Sequence, residues 1–178
     1  MLHDAELRTE SWRRRHSPEA IAQLGVWRWR GMQDNAAMIL GLIVGKRVLD
    51  FGGADAPLWF GSVIDDIRCK RCSPSDDPWE VIFTSHTLEH CESVRGTLER
   101  LRNRLEDGGT LIVHVPAYTC QRWNADAYDN PAQPTGHKWT FGLGEATAID
   151  RLVQEAGFDV QFAEYVGDDS ILLVGRKV

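Results

Sequence analysis

The 178-residue sequence lacks any hydrophobic run long enough to cross a membrane: its longest apolar stretch, residues 36–44, is broken by Gly41, and a spanning helix needs about 20 residues. Positive charge is in deficit. Twenty Lys and Arg face 26 Asp and Glu, for a net charge of −6, which argues against nucleic acid as a partner because phosphates call for a basic face. The beginning of the chain has no basic-then-apolar leader pattern, so a cytoplasmic location and reduced thiols are the expectation. Cysteine is scarce, with only Cys69, Cys72, Cys91 and Cys120. Two nucleotide signatures are also missing. Gly52 is followed by Ala54 and Pro57, not by a G-x-x-G completion, and no G-K-[ST] marks a phosphate-cradling loop.

Cys69-Lys70-Arg71-Cys72 is a C-x-x-C, which is half of a zinc site or a redox pair. No second C-x-x-C or H-x₃₋₅-H follows at finger-like spacing, and the two charges between the cysteines fit a redox motif poorly. His86 and His90 stand four apart, but Glu89 directly precedes His90, so H-E-x-x-H is not formed. No metal-ligand set is assigned. What the chain has in excess is tryptophan, seven in all. Tryptophan is favoured in pockets and at interfaces, because its large ring carries an N–H that needs a partner. The expectation is that several line one cleft.

Residues 1–45 read as a helical extension. Ser17-Pro18-Glu19 places an N-cap before a proline at the first helical position, and Gly25 can end that helix. Met32, Ala36, Ile39, Leu40 and Ile43 predict a second helix over 32–43. Arg13-Arg14-Arg15-His16 is read as a solvated basic face. From Lys46 the pattern changes to short apolar strands at 47–51, 62–64 and 79–83. Val94, Leu98, Leu101 and Leu105 then predict a helix over 93–105, which Asp107-Gly108-Gly109 stops before a strand at 110–115. A last helix over 145–156 is followed by extended runs at 158–166 and 171–175, and the short turn between those two forces them antiparallel. The expected fold is α/β and Rossmann-like: a mostly parallel sheet with a C-terminal antiparallel hairpin, helices on both faces, and an N-terminal helical extension. Residues 46–178 form the α/β domain in this reading.

Asp50-Phe51-Gly52-Gly53-Ala54-Asp55-Ala56 is an acidic strand end followed by small residues at alternate positions, D-x-G-x-[GA]-x-[GA]. Trp79-Glu80-Val81-Ile82-Phe83-Thr84-Ser85-His86-Thr87-Leu88-Glu89-His90 resembles F-D-V-I-x-S-x-x-x-L-E-H. Together with Gly108-Gly109 and the final hairpin, these segments resemble the class I S-adenosylmethionine-dependent methyltransferases, over about three quarters of the chain. The resemblance is to the small-molecule type found with ubiquinone-like and sugar-modifying enzymes. It implies S-adenosylmethionine as cofactor and a small-molecule methyl acceptor, an O- or N-nucleophile such as a sugar. It also implies that Asp50 braces the glycine loop, that Gly52, Gly53 and Ala54 lie against the cofactor, and that Asp65 or Asp66 accepts hydrogen bonds from its ribose. Ser85 and His86 would border it.

The chain departs from that pattern in two places. Residues 53–63 leave little room for a full first helix, and between Asp66 and Trp79 a helix and a strand are missing. Asp76 and Asp77 are the positional candidates for the adenine contact, and Trp59 or Trp79 could stack on the base.

His86 and His137 are the candidate general bases, since imidazole titrates near neutrality. His137 lies in a long loop, 117–140, whose length suggests a binding element. His90 is read as structural, and His114 as a satisfied residue of a strand. A non-catalytic, trimmed binding module stands as the alternative function, and a metal enzyme using Cys69, Cys72 and His86 as a remoter one. Neither membrane nor nucleic acid is an expected partner, and a homodimer is left open.

Overall fold

The computed structural model describes residues 25–53, 58, 63–65, 77–120, 136–144 and 148–178, with the backbone alone at 63–65. The helix expected from Ser17, the Cys69-x-x-Cys72 pair, Ala54, Asp66, Asp76 and the missing segment after Asp66 fall outside these residues, as does the middle of the long loop. Among the described residues no helix is long and apolar enough to cross a membrane.

Strand side chains alternate between faces, and here both alternating sets are apolar. In β1 (Val48–Phe51), Val48 joins one core while Leu49 and Phe51 join the other. The alternation recurs in β3 (Trp79–Ser85), β4 (Leu105–Pro116) and β6 (Ser170–Lys177). Val81, Phe83, Ile112 and Leu172 face the first core, and Ile82, Leu111, Val113, Ile171 and Leu173 the second. A sheet apolar on both faces must be covered on both. The second face is covered by α3 and α4, whose ranges are Val94–Arg104 and Ile149–Glu155. The first is covered by the N-terminal segment: a 3-10 turn at Gly25–Arg28, then α1 (Arg30–Asp34) and α2 (Ala36–Ile43).

With β2 (Val63–Asp65) and β5 (Phe158–Val166), the sheet has six strands in the order β2-β1-β3-β4-β6-β5. The first four run parallel, and β6 pairs antiparallel with both β4 and β5. This is the Rossmann-like α/β sheet with a C-terminal antiparallel hairpin.

Three boundaries differ from those expected. The helix over 32–43 is divided at Asn35, which leaves the helical region (φ −106°, ψ 12°) and turns its side-chain amide back to donate to Gly31 O at 2.9 Å. Gly31 itself lies against the hairpin, where a Cβ would come within 2.5 Å of Val166. β4 begins at Leu105, before the Gly-Gly pair. Its register slips between Trp79↔Leu105 and Val81↔Thr110, so Gly108, at φ +71°, sits inside a bulge of the strand. The last helix starts at Ile149, because Ala148 is still extended.

Candidate active site

The strand order reverses at β1: the chain leaves it for β2 on one side and returns to β3 on the other. Ligands of open α/β sheets bind at the carboxyl ends of strands beside such a reversal. The register places those ends level. Phe51 is opposite Asp65 on β2 and Thr84 on β3, and Ser85 is opposite His114 on β4.

On the β1 side the glycine turn is held by the protein's own groups. Asp50 is fully buried, and its Oδ2 accepts the Leu58 N–H at 2.6 Å. Leu58 O in turn accepts from Trp27 Nε1 at 3.0 Å, and Trp27 O from the Gln33 side chain at 2.7 Å. The N-terminal layer thus braces the loop. Gly52, at φ +82°, packs so closely on Thr87 that a Cβ would come within 2.1 Å of Oγ1. A Cβ on Gly53 would meet the Asp50 carboxylate at 2.2 Å. Burial pushes the Asp50 carboxyl up to about 6, opposed by the Leu58 N–H. Its Oδ1 has no hydrogen-bond partner.

On the β3 side three histidines gather round one carboxylate, and a fourth, His114, packs on the first of them. His86 follows β3 directly and is left-handed at φ +49°, a strained backbone for a non-glycine residue. Its N–H donates to His114 O at 2.9 Å, which pins the turn to β4. The His86 ring stacks on Trp29 (4.8 Å between centroids, 19° between planes) and meets His114 edge-on at 5.0 Å. His86 Nδ1 lies 3.4 Å from Glu89 Oε1, and His137 Nε2 lies 3.9 Å from the same oxygen. Glu89 is wholly buried, and neither of its carboxylate oxygens has a hydrogen-bond partner. His86 Nε2 and His114 Nε2 are likewise buried and unpartnered. His114 is kept neutral, with its pKa well below the ordinary histidine value, by burial first and then by His86.

His137 reaches this cluster because residues 136–139 are docked along the turn after β3. Lys138 N–H donates to Glu89 O at 2.7 Å, and Trp139 Nε1 to Cys91 O at 2.7 Å. His90 Nδ1 is 3.0 Å from Gly136 O, and the rings of His90 and His137 meet edge-on at 4.7 Å. Lys138 Nζ also pairs with Glu92.

The two candidate bases are therefore brought together around Glu89. Asp50, Gly52 and Gly53 lie at the end of β1, and Asp65 ends β2, its side chain outside the described set. The Ser85 hydroxyl is engaged with His114 Nδ1 at 2.9 Å. Trp79 is in the wrong place for a base-stacking role: it opens β3 at the opposite end of the strand, is buried, and carries the Arg47 guanidinium over its ring at 4.4 Å. Trp27 and Trp139 are likewise structural, each donating its N–H to a backbone carbonyl. Sequence reasoning missed the central place of Glu89, and it missed Trp29 as the cover of His86. The H-x-x-E spacing on a short turn was the available signal for the first. None existed for the second, since the contact spans the whole N-terminal layer.

The family model for the methyltransferase domain matches residues 60–161, more than half of the chain. No curated protein sequence matches it. Solved structures share the fold at low identity. An S-adenosylmethionine-dependent methyltransferase of Thermotoga maritima is 13% identical, with 100% of both chains covered and a TM-score of 0.59. One from Mesorhizobium loti is 10% identical, with 83% of this chain and 98% of that one covered and a TM-score of 0.57. The magnesium protoporphyrin IX methyltransferase of Synechocystis, solved with bound S-adenosylhomocysteine, is 14% identical over 82% of this chain and 81% of its own, with a TM-score of 0.55. The glycine turn at the strand-order reversal, the six-stranded sheet with its antiparallel end and the family match agree: this chain belongs to the methyltransferase-domain family.

Proposed function

We propose that the chain is an S-adenosylmethionine-dependent methyltransferase acting on a small-molecule acceptor through an oxygen or nitrogen nucleophile. The observation that carries this reading is the juxtaposition at the reversal point. A glycine turn with an unpartnered, buried Asp50 oxygen stands beside a strained histidine backed by a buried carboxylate. The residues fit the cofactor that the family implies. The turn at Gly52 and Gly53 keeps the chain low at the strand end, where a ligand approaches backbone, and Asp50 Oδ1 is a buried acceptor without a donor. Asp50, Gly52, Gly53, Ala54, Asp65, Asp66, Ser85 and His86 are the positions proposed to hold it. When bound, S-adenosylmethionine supplies an electrophilic methyl group on a sulfonium.

The chain's own residues supply positioning and a proton acceptor. Glu89 Oε1, 3.4 Å from His86 Nδ1, favours the tautomer with the proton on Nδ1. That leaves the lone pair of Nε2 to take a proton from the acceptor nucleophile. The stacked Trp29 ring holds the imidazole in plane and shields it from water. His137 is the second candidate for the same role, approaching Glu89 from the docked loop.

Titration calorimetry with S-adenosylmethionine and S-adenosylhomocysteine tests the proposal. Micromolar binding that weakens at least tenfold in Gly53→Ala, with the fold retained by circular dichroism, supports it. No heat at millimolar cofactor overturns it in favour of a non-catalytic module built on the same fold.

A further inference from the structure

We propose that Glu89, His90 and His137 form a binding site for a single first-row divalent transition-metal ion. One ligand atom from each of the three residues lies within 4.8 Å of the other two. The three come from two segments far apart in sequence, the turn after β3 and the far end of the long loop. They are held together by two hydrogen bonds that owe nothing to their side chains, Lys138 N–H to Glu89 O and Trp139 Nε1 to Cys91 O.

Three independent features point to an ion there. The first is the carboxylate. Glu89 is wholly buried, and both its oxygens lack a hydrogen-bond donor. Burying a carboxylate without donors or a paired charge is costly, and among the described residues only the imidazoles of His86 and His137 approach it as ion-pair partners. A bound cation would satisfy both oxygens at once.

The second is the tautomer of His90. Gly136 O can only accept, so the 3.0 Å contact places a proton on His90 Nδ1 and leaves the Nε2 lone pair free to ligate. An imidazole that gives its other N–H to a backbone carbonyl is the usual outer-sphere arrangement of a metal-bound histidine.

The third is spacing. Two donors in a tetrahedral site with bonds of about 2.1 Å stand about 3.4 Å apart, and Glu89 Oε1 and His137 Nε2 are already at 3.9 Å. That pair needs to close by only about half an ångström, and no separation within the trio exceeds 4.8 Å.

Two imidazoles and one carboxylate suit zinc, iron(II), cobalt(II), nickel(II) or manganese(II), and suit magnesium or calcium poorly, because those ions prefer oxygen donors. Three protein ligands also leave a coordination position for water or a substrate oxygen, as in catalytic and unlike structural sites. The proposal rests on this geometry alone, so it stands or falls apart from methyl transfer.

The test uses the full chain, stripped with chelator and titrated with cobalt(II), then zinc(II). One equivalent of cobalt should give visible d–d bands without a strong thiolate-to-metal band, and zinc should displace it. Zinc should also raise the melting temperature. His90→Ala and Glu89→Gln should each weaken cobalt binding at least about 100-fold, because loss of an outer-sphere partner alone costs up to that much, while Cys69→Ser/Cys72→Ser should leave it unchanged. His137→Ala should behave as His90→Ala does. If the buried His137 variant fails to fold, the half-buried His90→Ala variant decides the question. Absence of stoichiometric binding overturns the site. So does binding that survives His90→Ala and Glu89→Gln, or binding lost with the cysteines.

Discussion

The two halves of the carboxyl edge are built on opposite plans. Beside β1, all but one of the named polar groups are tied to the chain itself: Asp50 Oδ2 to Leu58, Leu58 to Trp27 and Trp27 to Gln33, with Asp50 Oδ1 alone unpartnered, and Thr87 fills the space that any side chain at position 52 would need. Beyond β3, buried polar atoms are left without donors or acceptors at Glu89, His86 and His114. Buried polar groups are paired in the great majority of cases, so a cluster of exceptions marks where an external group is expected. The first half is a support whose tolerance to change is low. The second stores unmatched polarity at a cost in stability.

If the β1 side is a close-packed support, Gly52→Ala should be the most damaging single change. It combines a left-handed backbone with a Cβ at 2.1 Å from Thr87 Oγ1, and the summed cost is about 4 kcal/mol by urea denaturation. Gly45→Ala is the control. It shares the left-handed backbone (φ +75°) but meets nothing within 4 Å, and should cost only about 1 kcal/mol. Equal losses for the two would mean that Thr87 yields and the support is not rigid.

A smaller effect concerns Asp50 and pH. Its pKa rises from 3.8 to about 6 on folding, so the folded state binds the proton more tightly than the unfolded chain does. Asp50's own contribution to stability is therefore greatest below about pH 4, falls as pH rises towards 6, and stays lower above it. At about 1.36 kcal/mol per pH unit the loss is about 3 kcal/mol. Asp50→Asn should remove this slope while keeping an acceptor for the Leu58 N–H. The measurement is the difference between the two stability–pH curves, and parallel curves would show that Asp50 is not the buried acid of the loop.

Smallest is the coupling across the two layers. A double-mutant cycle on Trp29→Leu and His86→Leu should return about 1 kcal/mol for the stacked pair. A coupling near zero would mean that the N-terminal layer covers the site without holding it.

Much of the scaffold was legible in the residues. Two-residue alternation and continuous apolar strands marked β1, β3 and β4, and the short turn before Ser170 required the antiparallel hairpin. Boundaries were less legible where a local side chain overrode periodicity. The Asn35 amide divides the N-terminal helix although its apolar spacing continues. Gly108-Gly109 reads as a turn, yet pairing on both sides absorbs it as a bulge. Trp79 is, with Trp59, a sequence candidate for stacking on the base, and its position at the amino end of β3 excludes it. At the site, His86 and His137 each stood out as titratable groups near a strand end or in a long loop. Nothing in one dimension showed that they share a carboxylate, because 50 residues separate them.

By itself, then, the sequence determined the class of sheet, the glycine turn after the first strand and the list of titratable side chains, because these follow from local periodicity and backbone sterics. Only the tertiary structure decided which of those side chains meet. The docking of 136–139 on the turn after β3 brings His90 and His137 to Glu89, and the packing of 25–43 on the sheet lays Trp29 over His86. Those contacts depend on the strand order and on hydrogen bonds and ring packing between distant segments, which no periodicity records.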